Sequence, residues 1–404
     1  MGLYRLIPFV LAVPVIVYLY IFLSRIVSLT GGWYNNEESE DHACMNPHLT
    51  RKPSKRQLRW YKKKAGRAVI LLAAVALMIP ALDIWGLWTV ILLHIVAASL
   101  LVDLISLIIR IWKKEWSPAW KTIYRSGLIP IAMAALILGY GYFNMHHVIQ
   151  TEYTVNTEKH IREEGYDVLF LSDLHFGTTM DADDLQEVCS RMEATQPDLV
   201  ILGGDIVDEN STLNQVREAF DVLGQIDSTY GTFYIYGNHD KGRYRQDCDF
   251  TAEELADAAE SAGIRILEDE TLTLGDELTL TGRRDRSDAA MDGIMREDPA
   301  ELLKGTKDGA FHIVADHQPR GMEENAEGGY DLMLSGHTHA GQIWPVGLFT
   351  TLLDKETINY GEERFGTMEA IVSSGIAGWG YPLRTGKHSE YVLVHIEGHS
   401  SSGL

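Results

Sequence analysis

The sequence predicts two parts of different fold class: an all-α membrane region of about four helices over residues 1–146, and an α/β domain over residues 147–404. Long apolar segments are confined to the first part, and strands alternate with helical patterns in the second. Charge divides the chain in the same way. Residues 1–150 hold 16 lysines and arginines against 7 acidic residues, whereas residues 151–404 hold 19 against 49.

The acidic balance of the second part restricts its partners. A domain with so many carboxylates repels nucleic-acid backbones, so no nucleic-acid partner is expected. Any phosphate group that it handles has to be drawn in by bound cations. The three cysteines, Cys44, Cys189 and Cys248, form no disulfide framework, and Cys189 falls on the buried face of a predicted helix.

Four apolar segments of the first part are interpreted as membrane spans, because each approaches or exceeds the ~17–20 residues that a helix needs to cross hydrocarbon. The second is the shortest and contains Pro80. The first is interpreted as a span rather than a cleaved signal peptide, since only Arg5 precedes it and no small-residue cleavage site follows. The segments cover about residues 6–23, 68–82, 85–109 and 128–143.

Two basic loops give the predicted orientation. Residues 24–66 carry nine lysines and arginines and residues 110–126 carry five, so both loops should be cytoplasmic. With four spans, residues 147–404 then lie outside the cell membrane. Within the third segment, Asp103 and His94 are expected to serve interhelical hydrogen bonding rather than to form a functional pair.

In the second part, short apolar runs predict strands and amphipathic segments predict helices. Two sheets packed face to face with helices outside, a four-layer α/β/β/α sandwich, accommodate their order. The predicted helices cover about residues 182–194, 213–226 and 252–262. The predicted strands cover residues 168–172, 199–202, 232–236, 264–267, 271–274, 278–281, 311–315, 332–334, 370–373 and 391–396.

Five of these strands end in residues that can bind metals. A single end of this kind is more often a turn than a ligand, but five in order indicate one site, because buried charges and imidazoles need partners or metals. The ends read Ser172-Asp173-Leu174-His175, Gly203-Gly204-Asp205-Ile206-Val207-Asp208, Gly237-Asn238-His239-Asp240, Asp316-His317-Gln318-Pro319 and Gly336-His337-Thr338-His339.

These blocks (DLH, GGDIVD, GNHD, DHQP and GHTHAGQ) resemble the ordered signature of the calcineurin-like metallophosphoesterases, over about residues 166–396. The closing segment 372–390 is similar to the membrane-associated bacterial branch of that family. The resemblance implies that Asp173, His175 and His339 bind one metal, that Asn238, His317 and His337 bind a second, and that Asp205 bridges them. It also implies that His239 is the catalytic histidine and that Asp208 orients it.

Such a site holds two divalent ions, and mixed Asp, Asn and His ligands suit manganese, iron or zinc better than magnesium alone. Asp240 is a second candidate for orienting His239, and its other interpretation is a helix-start residue. The resulting expectation is a membrane-anchored metal-dependent phosphohydrolase. Its substrates would be phosphoesters, phosphodiesters or pyrophosphates, either small molecules or lipid-linked compounds of the membrane or cell envelope.

Three alternatives stay open from the sequence. One is a sensor that captures phosphoryl ligands without turnover. A second is a cytoplasm-facing hydrolase of acylated nucleotide-sugar diphosphates, and a third is a transporter-like bundle with an accessory domain. The residues say nothing about the oligomeric state.

Overall fold

The computed structural model describes residues 12–29, 62–83, 86–113 and 116–398. They form two compact units, Met1–Gly139 and Tyr140–Leu404, which are described separately. The start of the first apolar segment, Cys44 and most of the basic loop 24–66 lie outside the described residues.

The first unit is helical, as the apolar segments predict. Its helices pack through small and apolar side chains, with Ala74 and Met78 of the second helix in one buried cluster with Leu92 and Val96 of the third. A short 3-10 turn, Pro80–Leu82, follows the second helix. The helices are α1 (Ala12–Leu29), α2 (Lys64–Met78), α3 (Leu87–Lys113), α4 (Pro118–Ser126) and α5 (Leu128–His146), the last of which continues into the second unit.

The prediction of four spans requires a correction. Within the described residues, three helices are long and apolar enough to cross a membrane: Ala12–Leu29, Leu87–Trp112 and Leu128–His146. Helix α2 has 15 residues, which correspond to about 22 Å at 1.5 Å per residue, less than the roughly 30 Å of the hydrocarbon layer. The proline at position 80 explains why it stops, because a proline removes an N–H donor and clashes with the preceding turn.

The two polar residues of α3 do not act as a pair. Asp103 accepts a hydrogen bond from the Tyr18 hydroxyl at 2.7 Å and forms an ion pair with Arg25, and both partners lie on α1. His94 instead contacts the carbonyl of Val90, one turn earlier on the same helix. Asp103 therefore makes the interhelical hydrogen bond that was predicted, whereas His94 does not.

The second unit contains two six-stranded sheets in the described residues. The first has the order β1-β12-β2-β3-β4-β5 and the second the order β10-β11-β9-β8-β7-β6. Neighbours among β2 to β5, and among β7, β8, β9 and β11, are parallel. The strands are β1 (Ile149–Thr157), β2 (Tyr166–Leu171), β3 (Leu199–Leu202), β4 (Thr232–Tyr234), β5 (Arg265–Ile266), β6 (Glu270–Leu274), β7 (Leu278–Gly282), β8 (Phe311–Ala315), β9 (Leu332–Ser335), β10 (Gly361–Phe365), β11 (Met368–Val372) and β12 (Glu390–Gly398).

Alternating side chains of the strands separate four layers. In β2, Phe170 points into the core between the sheets with Ile313 of β8, whereas Leu171 packs against the outer helices. On the far side, Met333 of β9 packs against Met322. The helices are α6 (Ala182–Glu193), α7 (Leu213–Leu223), α8 (Ala252–Ser261), α9 (Arg286–Asp292), α10 (Pro299–Leu302), α11 (Met322–Gly328) and α12 (Val346–Leu353). The predicted α/β/β/α sandwich is confirmed.

Candidate metal centre

The carboxyl ends of four parallel strands, β2, β3, β8 and β9, and the loop after β4 bring the metal-binding residues together. Backbone hydrogen bonds tie these ends to one another: the N–H of Asp173 donates to the Gly204 carbonyl at 2.9 Å, and the N–H of His175 donates to the Asp205 carbonyl at 3.0 Å. Open sheets bind ligands at this edge, where successive strand ends converge.

One group of possible ligands consists of Asp173, His175 and His339. Their nearest donor atoms all lie within 4.8 Å of one another. Nε2 of His339 is 3.5 Å from Oδ1 of Asp173, and the rings of His175 and His339 stack with centroids 5.2 Å apart. The three side chains can therefore turn their donor atoms to a single cation.

A second group consists of Asp205, His317 and His337, again within 4.8 Å of one another. The Nδ1–H of His317 donates to the Gly203 carbonyl at 2.8 Å, which turns its Nε2 toward Oδ2 of Asp205 at 3.1 Å. A backbone partner on one ring nitrogen fixes which nitrogen is left for a metal. Asn238 is also buried in the strand-end loops, beside His239.

Asp205 lies between the two groups. Its Oδ2 faces His317 of the second group at 3.1 Å and Nε2 of His175 of the first group at 3.8 Å. Burial opposes its ionisation, but positive charge on His317, followed by His239, holds the pKa of this carboxyl well below its usual value. A carboxylate placed in this way can neutralise charge on both sides of it.

Backbone conformation at these positions is strained. Five of the candidate ligands have left-handed φ angles: Asp173 (57°), His175 (42°), Asp205 (53°), His337 (71°) and His339 (48°). Each such residue costs free energy and persists only where the surroundings impose it, and such residues concentrate at functional sites.

Glycines allow the strand ends to approach this closely. A Cβ on Gly237 would collide with the Asp205 carboxylate, and a Cβ on Gly336 would collide with Asp173 and Ser172. The glycines of the GNHD and GHTH blocks are therefore required by the packing of the acidic side chains against the neighbouring backbone.

The donor atoms fit divalent cations. Among the described residues, Nε2 of His175, Oδ1 of Asn238 and Nδ1 of His339 are buried without a hydrogen-bond partner. Burial lowers the pKa of His337 to about 4 and that of His339 to about 3, so both imidazoles are neutral. Neutral imidazole is the form that binds metals, and orphaned buried donors of this kind are what a bound ion would satisfy.

His239 is placed beside both groups. Its ring centroid is 5.4 Å from that of His175 and 5.0 Å from that of Tyr244. Burial lowers its pKa, but Asp205 and then Glu209 raise it, with a net pKa of about 9. Bound cations would oppose this rise, because positive charge disfavours a second imidazolium.

The residue that contacts Nδ1 of His239 differs from the one expected. Nδ1 of His239 lies 3.0 and 3.1 Å from the two oxygens of Glu209, whereas Asp208 faces Nδ1 of His175 at 3.5 Å. Glu209 rather than Asp208 thus contacts Nδ1 of His239 in this structure, and the orienting role of Asp208 stays a prediction. The sequence signal was ambiguous, because two adjacent carboxylates follow β3, and both are buried against different histidines.

The second candidate orienter, Asp240, has a different task. Its carboxylate accepts hydrogen bonds from the backbone N–H groups of Asp205, Ile206, Val207 and Gly237, at 2.6 to 3.1 Å. It thereby joins the loop after β3 to the loop after β4, which together supply Asp205, Asn238 and His239.

Arg384 is a residue that sequence reasoning did not single out. Its guanidinium is fully buried and donates to the carbonyls of His339, Ser374 and Ala377. Burial lowers its pKa to about 10. The side chain joins the His339 loop to the closing segment. Its three carbonyl partners depend on how these segments pack, so the sequence position of Arg384 did not predict them.

Comparison with known proteins agrees with the metal-binding geometry of the strand ends. Residues 166–341 match the family model of the calcineurin-like phosphoesterases. A Helicobacter pylori metallophosphoesterase is 32% identical over 57% of this chain, and the chain covers 59% of that protein's length. The Escherichia coli phosphodiesterase YaeI is 29% identical over 57% of the chain and 82% of its own length. A Danio rerio transmembrane protein with a metallophosphoesterase domain is 26% identical over 68% of the chain and 63% of its own length.

The α/β/β/α sandwich therefore carries two groups of candidate metal ligands at its strand ends. The chain belongs, through residues 166–341, to the calcineurin-like metallophosphoesterase superfamily. Bacterial proteins are among its relatives.

Proposed function

We propose that this chain is a membrane-anchored phosphoesterase with two divalent metals. The observation that carries the proposal is the position of Asp205, between the group of Asp173, His175 and His339 and the group of His317 and His337. We assign residues 1–146 to the membrane region and residues 147–404 to the catalytic domain.

In the proposed site, the first group would hold one ion, and His317, His337 and Asn238 would hold the other, with Asp205 shared. When bound, two such ions bind phosphate oxygens and lower the pKa of water enough to supply a nucleophile at neutral pH. The mixed ligand set favours manganese, iron or zinc.

The chain itself supplies the proton for the leaving group. His239 presents an imidazole beside both ligand groups, and the Glu209 carboxylate on Nδ1 leaves Nε2 for the substrate side. Proton donation from Nε2 to the departing alkoxide is general acid catalysis. A sensor without turnover has no need of this oriented imidazole, which is why we favour the enzyme.

The test uses the full chain purified in detergent, stripped with a chelator and reloaded with manganese, iron, zinc or magnesium. Hydrolysis of nitrophenyl phosphate mono- and diesters should vanish on stripping and return with the transition metals. His239→Ala should retain its metals and lose ~10²–10⁴ in rate on an alkyl phosphodiester, with a smaller loss on the nitrophenyl esters, whose leaving group needs no proton. His395→Ala, at a partly exposed histidine, serves as the matched control. Activity that survives stripping contradicts the proposal.

We further propose that the substrates are phosphodiesters or pyrophosphates held at the membrane or in the cell envelope, because the catalytic unit begins within a helix able to cross a membrane. The extracytoplasmic placement of the catalytic domain is part of this proposal. Its support is the packing of α2 beside α3, where Nε1 of Trp88 donates to the Leu77 carbonyl. If α2 and α3 enter the membrane as a hairpin, the basic segments at its two ends stay on one side, although α2 alone is shorter than a full span.

A further inference from the structure

Helix α12 is an apolar helix that stays unburied among the described residues. Its sequence, VGLFTTLL, contains no charge, and none of its residues is buried. Phe349, Leu352 and Leu353 are exposed, the last at 84%, and Trp344 just before the helix is exposed as well. A contiguous apolar surface of this kind on a folded domain marks an interaction site.

The start of α12 is tied to the end of the membrane-spanning helix α5 through residues 384–387. The N–H of Trp344 donates to Oγ1 of Thr385 at 3.0 Å. On the other side of the same segment, Asn144 of α5 donates to the carbonyls of Arg384 and Lys387 at 3.0 and 2.9 Å. Since α5 is long and apolar enough to cross a membrane, a bilayer that α5 crosses would have its surface near His146, and α12 would lie close to that surface.

Neighbouring side chains suit a lipid headgroup region. Tyr142 and Phe143, near the end of α5, are exposed, and aromatic rings concentrate at the membrane interface. Lys355 and Lys387 are also exposed and line the same cavity as Leu348 of α12. Lysines beside an apolar surface favour anionic headgroups.

That cavity, about 680 Å³ in volume, also reaches the loop that carries His339. Its wall includes Ala340, the residue after His339, and Tyr360. Arg384, which holds the His339 carbonyl at 3.1 Å, directly precedes the Thr385 that binds the start of α12. The apolar helix and a candidate metal ligand are therefore connected by a few residues.

We propose that α12, together with Trp344, enters the headgroup region of the lipid bilayer and passes lipid-held phosphoesters to the metal centre. The bilayer contact stands on the exposed helix and its link to α5. The transfer of substrate rests on the proposed function, and it narrows the substrate class to phosphoesters with an apolar anchor.

The bilayer contact is tested without reference to activity. In the full chain with Cys44, Cys189 and Cys248 replaced, Leu353→Cys is labelled with a polarity-sensitive fluorophore. The protein is reconstituted into vesicles of phosphatidylethanolamine and phosphatidylglycerol. Met295→Cys, at an apolar residue 91% exposed in the same unit, is the matched control.

The label at position 353 should show blue-shifted emission that nitroxide-labelled phospholipid quenches, and the label at 295 should not. Equal, water-like emission at both positions overturns the proposal. So does emission at 353 that is shielded from water but not quenched by the lipid, because a second copy of the chain would then cover the helix.

The transfer of substrate is tested with two nitrophenyl phosphodiesters, one soluble and one with a fatty-acyl chain held in vesicles. The triple variant Phe349→Ser, Leu352→Ser, Leu353→Ser should raise KM for the anchored ester by ~10-fold or more and leave the soluble ester within about 2-fold, because only uniform binding is removed. Met291→Ser, Ile294→Ser, Met295→Ser is the control triple.

The proposed substrate transfer is wrong if the α12 triple variant changes KM equally for both esters. It is also wrong if the control triple variant raises KM for the anchored ester as much as the α12 triple variant does. A protein that hydrolyses neither ester refutes the proposed function instead, and the fluorescence result stands independently of it.

Discussion

At the scale of single residues, adjacent carboxylates take separate roles. Glu209 contacts His239, whereas Asp208 contacts His175. We predict that Glu209→Gln retains its metals but loses rate, most strongly for alkyl esters, whose alkoxide leaves poorly without a proton. Asp208→Asn should instead weaken metal retention, because His175 loses the carboxylate that supports it, an effect of roughly 10–100-fold on affinity.

The two variants serve as controls for each other, since they remove one negative charge each from neighbouring positions. Metal content by elemental analysis and rates on alkyl and nitrophenyl esters separate them. If Asp208→Asn keeps its metals and shows the leaving-group dependence, the original assignment of Asp208 as orienter is restored.

Asp205 is the residue on which both ligand groups depend. We predict that Asp205→Asn loses both metals, because an amide carries no charge to offset two cations and its nitrogen has no free lone pair to donate to a metal. Asp173→Asn, which touches one group, should lose one metal preferentially. Elemental analysis of the two purified variants decides, and an Asp205→Asn protein with full metal content would exclude a shared carboxylate.

At the scale of elements, Asp240 holds two loops in register. Asp240→Asn places an amide nitrogen against backbone N–H donors and should lower the free energy of unfolding by about 2–4 kcal/mol. That corresponds to a fall of roughly 5–15 °C in Tm for a domain of this size. Asp257→Asn on α8, an exposed carboxylate, makes the same change of charge and should leave Tm unchanged.

Thermal melting of the metal-free full chain in detergent measures both variants, so that loss of metal does not contribute. A normal Tm for Asp240→Asn would show that the four hydrogen bonds contribute little and that other contacts join the loops after β3 and β4.

Several elements were readable from sequence because their signal is local. Strands β3 and β8 were predicted with their observed ends, since each is a short run of buried residues that are apolar except for His312. Strand β1 was not predicted. It pairs with β12, more than two hundred residues along the chain, and its side chains alternate only partly between exposed and buried. Long-range pairing of that kind leaves no local pattern.

In the candidate site, too, residues with a local sequence signal were predicted and residues that depend on long-range packing were not. The strand-end blocks gave the residues that the structure brings together, because parallel strands deliver their carboxyl ends to one edge. Glu209 and Arg384 were missed because their roles depend on where a turn points and on how a distant segment packs. Helix α2 was predicted as a span because hydropathy does not register the break at residue 80.

At the scale of the whole molecule, the number of crossings fixes the side on which the catalytic unit works. If α2 crosses the membrane, α3 brings the chain back to the side of Lys62, Lys63 and Lys64, both basic segments are cytoplasmic, and residues 147–404 are outside. If α2 does not cross, the two basic segments lie on opposite sides. Residues 24–66 carry more lysines and arginines than residues 110–126 and should then be the cytoplasmic segment. The catalytic unit would consequently lie in the cytoplasm.

We predict the outside placement, although α2 alone, at about 22 Å, is shorter than a full span. In this placement the 3-10 turn extends α2 at one end, and the long lysine side chains at its other end reach the headgroups. Met295→Cys in a background without other cysteines should react with a membrane-impermeant maleimide in intact cells, and Lys121→Cys in the second basic loop should react only after permeabilisation. The reverse pattern would place the metal centre in the cytoplasm, and acylated nucleotide-sugar diphosphates would then become the substrates to test.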